Sequence, residues 1–206
     1  MSRSNIHYEE KRDELARQVF DIFMKNGYEN TTLSLIVKEL KISKGALYHY
    51  FTTKEQCADA AVALCSKDCY GKVSCQIDDN MSAEVNFKSL ILSCSALFQD
   101  NKKSMENINT SSNTIFHQKL MAALVKSLAP LYAKVIAQGI HEKIFEAEYP
   151  LETAQMILTL TNFYFDEDIF GWGPEEMPVK LRAFKGFLTN ALKAKSDLFS
   201  FLYNFE

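Results

Sequence analysis

The chain has 206 residues, nearly half of them apolar, which is enough to bury a core as one large or two modest domains and excludes a disordered chain. A net charge of −3 excludes a general polyanion binder, but the charge is uneven: residues 1–54 hold 9 Lys/Arg against 7 Asp/Glu, or +2, and the remainder 14 against 19, or −5. Seven Gly, four Pro and no alternating β-branched runs predict an all-α fold, with a basic head on an acidic body.

No apolar run approaches the ~20 residues of a membrane span, and the N-terminus opens on a charged segment, so neither a span nor a signal peptide is expected. A cytoplasmic location follows as an expectation, with the five Cys reduced. The first helix is predicted from about Tyr8 to Lys25, with Leu15, Val19, Ile22 and Phe23 at i, i+4, i+7, i+8 and Ala16 and Phe20 widening the stripe. Gly27 closes it. Arg12 and Arg17 lie off the stripe, as solvated charges or as phosphate contacts. Tyr28 is expected to pack beneath the next two helices.

Residues 31–54 carry the main signal. Thr32 suits a helix cap, and Leu33, Ile36, Val37 and Leu40 form one apolar face. Ser43 is a second cap, and Leu47 and Phe51 mark the buried side of the next short helix. The opposite side carries Ser43, Lys44, Tyr48 and His49, with Tyr50 near the end. Short hydroxyls, a cation and phenols on an exposed helix suit a DNA groove, where they reach base edges and phosphates. The alternative is a helical hairpin with a solvated polar face.

The run Ser43-Lys44-Gly45-Ala46-Leu47-Tyr48-His49-Tyr50-Phe51, followed by Lys54 and preceded by Thr31-Thr32, resembles the DNA-binding motif of the tetracycline-repressor (TetR) family of transcriptional regulators. The resemblance covers about a quarter of the chain by motif, and the rest only by length and helix layout. It implies a recognition helix from Ser43 to about Tyr50 in the major groove. Tyr48 and Lys54 would hold phosphates, Thr31 or Thr32 would offer a hydroxyl or N–H, and Gly45 would admit the backbone to the duplex. Ala46 and Lys44 would face bases, with His49 and Tyr50 beside them. Lys41 stands where many members have Gly, which places the geometry of the turn in question.

Downstream, Thr52-x-x-Glu55 and Thr53-x-x-Gln56 are capping-box patterns that open a long helix fading near Gly71. By connectivity, this helix is the candidate for transmitting a signal between head and body. Ser82 caps a helix with Phe87, Leu90, Ile91, Cys94, Leu97 and Phe98 as its stripe. Residues 100–113 read as a short helix between loops. Residues 114–145 continue as a long helical pattern that Pro130 should kink or split. Pro150 starts another helix, Gly171-Trp172-Gly173-Pro174 is a loop, and the last helix begins near Met177 or Pro178. Its tail, 198–205, is unusually aromatic and must be covered.

Two readings of the body stay open on periodicity alone: a closed core, or a core around a cavity. The resemblance favours a cavity that binds a small, largely apolar effector, lined by Phe87, Ile91, Cys94, Phe98, Phe116, Leu120 and Phe163, with Asn113, His117 and Asn162 as polar anchors. The last two helices, apolar on more than one face, suggest a homodimer. Two recognition helices related by symmetry would read a palindrome. The domains are then 1–54, a three-helix helix-turn-helix head, and 55–206, a helical effector-binding and dimerisation body. Cys65 and Cys69 are small buried hydrophobes or, alternatively, thiol sensors. No phosphate-cradling loop, Gly-x-Ser-x-Gly elbow or His-Glu-x-x-His occurs, so neither an enzyme nor a cofactor or metal is expected. The expected function is a repressor that binds a double-stranded DNA operator and is released by its effector. The alternative is a DNA-binding regulator without a ligand, controlled by a protein partner.

Overall fold

In the computed structural model, residues 3–100, 105–195 and 197–205 are described, and every regular element among them is helical. The order is α1 (Arg3–Asn26), α2 (Leu33–Leu40), α3 (Lys44–Tyr48), α4 (Lys54–Ser74), α5 (Ala83–Asp100), α6 (Thr114–His141), α7 (Pro150–Thr159), α8 (Glu167–Phe170) and α9 (Met177–Ala191). A 3-10 turn, Ser111–Asn113, leads into α6, a π-helical turn, Leu160–Tyr164, follows α7, and a 3-10 segment, Ser200–Phe205, ends the chain. The chain forms two compact units, each drawn from two stretches: 1–69 with 100–123, and 70–99 with 124–206.

In the first unit, Leu15, Ala16, Val19, Ile22 and Phe23 of α1 are buried, as the stripe predicts. Ile36, Leu47 and Phe51 are fully buried beside them. Phe116, at the start of α6, joins this core. Its ring lies 5.4 Å from Phe20, 5.1 Å from Phe23 and 6.3 Å from Tyr28. The stripes had assigned Phe116 to the body, so a core shared with α1 is a finding of the tertiary structure.

The second unit centres on Phe87, fully buried, with ring contacts to Tyr132 at 6.0 Å, Phe145 at 5.6 Å and Phe199 at 5.5 Å. Phe199 and Leu202 of the aromatic tail are buried here, within their own unit. Asn86, also buried, holds the loop before α5: its Oδ1 accepts from Asp78 N at 3.1 Å and its Nδ2 donates to Asp78 O at 2.9 Å. Glu142 accepts from the Ala83 N–H at 3.0 Å, closing the first turn of α5.

Two expectations are corrected. Pro130 lies inside α6, which runs unsplit from Thr114 to His141 and ends short of residue 145. The chain turns at Lys143, with φ +60°, and the Ile144 and Phe145 N–H groups donate back to Gly139 O at 2.9 and 3.1 Å. Second, the stretch Ser111–His141 is long and apolar enough to cross a membrane by length and composition. Its Phe116, Leu120, Leu124, Leu128, Val135 and Ile136 are buried in the protein, so these apolar side chains belong to the core.

Candidate nucleic-acid interface

The site is built by caps at both ends of two short helices. Thr32 Oγ1 accepts from Leu35 N at 3.2 Å, and Ser43 Oγ accepts from Ala46 N at 3.1 Å, each satisfying an orphan donor of a first turn. α2 ends on Lys41, in the left-handed region at φ +53°, ψ +39°. Lys41 N donates to Lys38 O and Ile42 N to Val37 O, both at 3.3 Å, the paired closure glycine usually serves. The turn keeps its geometry without glycine, at a conformational cost of about 1 kcal/mol. α3 spans five residues, shorter than the expected 43–50, with His49 closing it.

Leu47 and Phe51 face inward and are fully buried. Thr32, Ser43, Lys44, Gly45, Ala46, Tyr48 and His49 are exposed, and Tyr50 and Lys54 are half-buried. A Cβ added at Gly45 would meet only Ser43 Oγ, at 4.0 Å, so its backbone is open to a close-approaching partner. The Lys44 ammonium lies 5.6 Å from the Tyr48 ring centroid, which keeps cation and phenol on one face.

Two of the expected residues have structural partners. Thr31 is fully buried, and its hydroxyl donates to Gly27 O at 2.7 Å, which removes that hydroxyl from the surface. Lys54 Nζ donates to Tyr28 O at 2.8 Å and Glu29 O at 3.4 Å, and lies 4.4 Å from the centroid of the Tyr28 ring. An ammonium has three donors, so one N–H of Lys54 is left for another acceptor. Of the two expected capping boxes, the Thr53–Gln56 pair engages, while Glu55 pairs with Lys119 instead. Thr53 Oγ1 accepts from Gln56 N at 3.1 Å, while Gln56 Oε1 reaches back to Thr52 N at 2.8 Å.

A brace that periodicity and motif did not reveal holds the turn between α1 and α2. Asn113 Oδ1 accepts from Tyr28 N at 2.8 Å, and its Nδ2 donates to Phe23 O at 3.3 Å and Asn107 O at 2.9 Å. Ser112 O accepts from Glu29 N at 2.9 Å. Gly27, at φ +81°, sits where a Cβ would strike the Ser112 side chain. Lys119 bridges α6 to α4 through Asp59 at 2.8 Å and Glu55 at 3.1 Å, and these bonds, Asp59 first, raise its pKa. Burial raises the pKa of Tyr28 beside them, followed by the nearby Glu55 charge.

The residues expected around an effector divide between the units. Asn113, Phe116, His117 and Leu120 are buried in the first. Both ends of the Asn113 amide are engaged in the brace, and Phe116 packs on α1. Phe87, Ile91 and Cys94 are buried in the second, where Tyr132 Oη donates to Cys94 Sγ at 3.4 Å. Burial and then the Cys94 neighbour push the Tyr132 phenol well above its ordinary pKa. Asn162 and Phe163 belong to the π-helical turn: Asn162 Nδ2 is buried with no hydrogen-bond partner, and Phe163 is exposed, 5.3 Å from the Phe170 ring. The Phe98 side chain lies outside the described residues.

A model of bacterial regulatory proteins of the tetR family matches residues 18–61, and a model of the tetracyclin repressor-like C-terminal domain matches residues 96–187. The uncharacterised HTH-type transcriptional regulator YxaF of Bacillus subtilis (strain 168) is 27% identical over 157 residues, 74% of this chain and 80% of that protein. Among solved structures, a TetR-family transcriptional regulator from Pectobacterium atrosepticum superposes with a TM-score of 0.64 at 16% identity, covering 93% of this chain and 98% of the other. The flavonoid-responsive regulator FrrA superposes with a TM-score of 0.61 at 15% identity, covering 88% of this chain and 96% of its own. At these identities the two solved structures speak to the fold.

Proposed function

Since the chain belongs to the TetR family of transcriptional regulators, we propose that it is a repressor that binds a palindromic operator as a homodimer and releases it on binding a small, largely apolar effector. Residues 1–54 are the DNA-binding part and 55–206 the effector-binding and dimerisation part, in a protein of the cytoplasm. The observation that carries the reading is the two-sidedness of α3: Leu47 is fully buried, while Lys44, Ala46, Tyr48 and His49 are exposed. In this reading Lys44 and Ala46 read base edges, Ser43, Tyr48 and the free N–H of Lys54 hold phosphates, and Thr32 adds its hydroxyl.

Dimerisation is supported by a run of exposed large apolar residues in 156–187, among them Met156, Phe163, Phe170, Val179 and Phe187, which a second copy would cover. Effector binding is supported by Asn162 Nδ2, a buried donor with no hydrogen-bond partner in the π-helical turn. Release would follow when the effector favours a spacing of the two recognition helices that misfits the operator. α4, with the Lys119 bridge to Asp59 and Glu55, carries the change to the head.

Selection of bound duplexes from a random pool tests function and symmetry together: a palindromic consensus is expected, and no enrichment at moderate salt refutes the reading. Lys54→Met is expected to lower affinity for all sequences and to reduce the salt slope by about one unit. An unchanged slope removes Lys54 from the phosphate contacts. Thermal melting with a panel of apolar compounds tests the effector: no shift across the panel favours control by a protein partner.

A further inference from the structure

At five residues, α3 is far too short to hold its own shape in water, so its placement must come from its neighbours. Leu47 and Phe51 anchor its inner side, and the Ser43 cap its first turn. The far end is held by a residue of α1. The Tyr8 ring lies 4.9 Å from that of Tyr50 at 29°, and 5.4 Å from that of His49 at 82°. His49 and Tyr50 are themselves 4.8 Å apart at 82°, so the three rings form a closed cluster. Each pair adopts an offset-stacked or edge-to-face arrangement, the geometries that aromatic quadrupoles favour. Tyr8 Oη lies 3.5 Å from His49 O, at the outer limit of a hydrogen bond, so the contact belongs to the ring rather than the hydroxyl.

We propose that Tyr8 is a positioning residue for DNA recognition: its ring props the C-terminal end of α3 and sets the tilt at which the helix presents Lys44 and Ala46 to base edges. The proposal rests on the reading of α3 as the recognition helix. Without the prop, the last turn of α3 is free before binding and must be ordered on binding, at an entropic cost. Contacts to base edges need a fixed geometry, whereas long charged side chains follow phosphates through small displacements. The loss therefore falls on sequence-specific binding.

The probe is the duplex that the wild-type protein selects from a random pool, with a scrambled duplex of equal length beside it. Affinities of Tyr8→Ala and Tyr8→Phe are measured over a salt series, together with melting temperatures. Tyr8→Ala is expected to weaken binding to the selected duplex about three- to tenfold, the span an aromatic pair commands, and to leave the scrambled duplex and the salt slope unchanged. Tyr8→Phe should behave as wild type. Wild-type affinity in Tyr8→Ala overturns the proposal, as does an equal loss on both duplexes. A loss in Tyr8→Phe as large as in Tyr8→Ala, or a reduced salt slope, also overturns it, by making the phenol a direct phosphate ligand. If melting shows Tyr8→Ala to be unfolded, Tyr8→Leu takes its place under the same criteria. If the wild type enriches no duplex, the recognition reading itself fails and the proposal falls with it, an outcome seen before any variant is made.

Discussion

Asn113→Ala isolates the brace between the start of α6 and the α1–α2 turn. Asn113 is fully buried and makes three hydrogen bonds, but the three losses are unequal. Phe23 O keeps the Gly27 N–H at 2.8 Å, and Asn107 O keeps the Thr110 N–H and hydroxyl at 3.2 and 2.8 Å, so neither carbonyl is orphaned. Only the Tyr28 N–H loses its acceptor, and a buried donor left unsatisfied costs about 1–3 kcal/mol. Taking about 2 kcal/mol and a chain of this size, the melting temperature should fall by roughly 4–8 °C. Asn113→Asp separates the terms further. It restores the acceptor for Tyr28 N–H but turns a carboxylate oxygen toward Phe23 O and Asn107 O, so its folded-state pKa must rise and its stability must fall as pH increases. Scanning calorimetry of both variants between acid and neutral pH is the assay. A melting temperature of Asn113→Ala within 1 °C of wild type, read against the roughly 2–4 °C expected per kcal/mol, refutes the reasoning, as does a pH-independent Asn113→Asp.

Lys41→Gly should stabilise the chain by about 0.5–1 kcal/mol by relieving the left-handed backbone at φ +53°, read as a higher urea midpoint; a lower midpoint shows that the Lys41 side chain matters more than its backbone. Gly27→Ala and Gly171→Ala form a matched pair, at φ +81° and +68°: both bear the backbone cost of about 1 kcal/mol, but only at Gly27 does the new methyl strike Ser112, so Gly27→Ala should melt lower. Equal melting points would mean that Ser112 moves aside without cost. Burial pushes the Cys57 thiol up to about 12 from 9.0, so Cys57 stays a protonated, inert hydrophobe at neutral pH, while exposed Cys75 alkylates first in peptide mapping of the native protein. Because the folded pKa is raised, the associated stability is present below pH 9 and lost as pH climbs toward 12, which alkaline unfolding reads.

The local pieces of the head were legible residue by residue. Thr32 and Ser43 cap where their hydroxyls predict, and Leu47 and Phe51 turn inward because a helical period places them together. Periodicity and capping are encoded within a few residues, and a chain read in order exposes them. The same rules left two outcomes open at Pro130, a kink or a split, and the split does not occur: α6 continues through Pro130 to His141.

What the amino-acid order determined alone, then, is the all-helical class, the longer helices, the caps at Thr32 and Ser43, the inner and outer faces of α3 and the family to which the motif belongs; it did not give α8 or the π-helical turn, and residues 105–109, read as part of a short helix, form turns. What only the tertiary structure decided is who holds what: Asn113 against Tyr28, 85 residues away, Tyr8 against His49, 41 away, and Lys54 committed in part to the carbonyls of Tyr28 and Glu29. Those partners are chosen by how buried polar groups find one another once helices pack. A hydrogen bond between distant residues leaves no periodic trace along the chain.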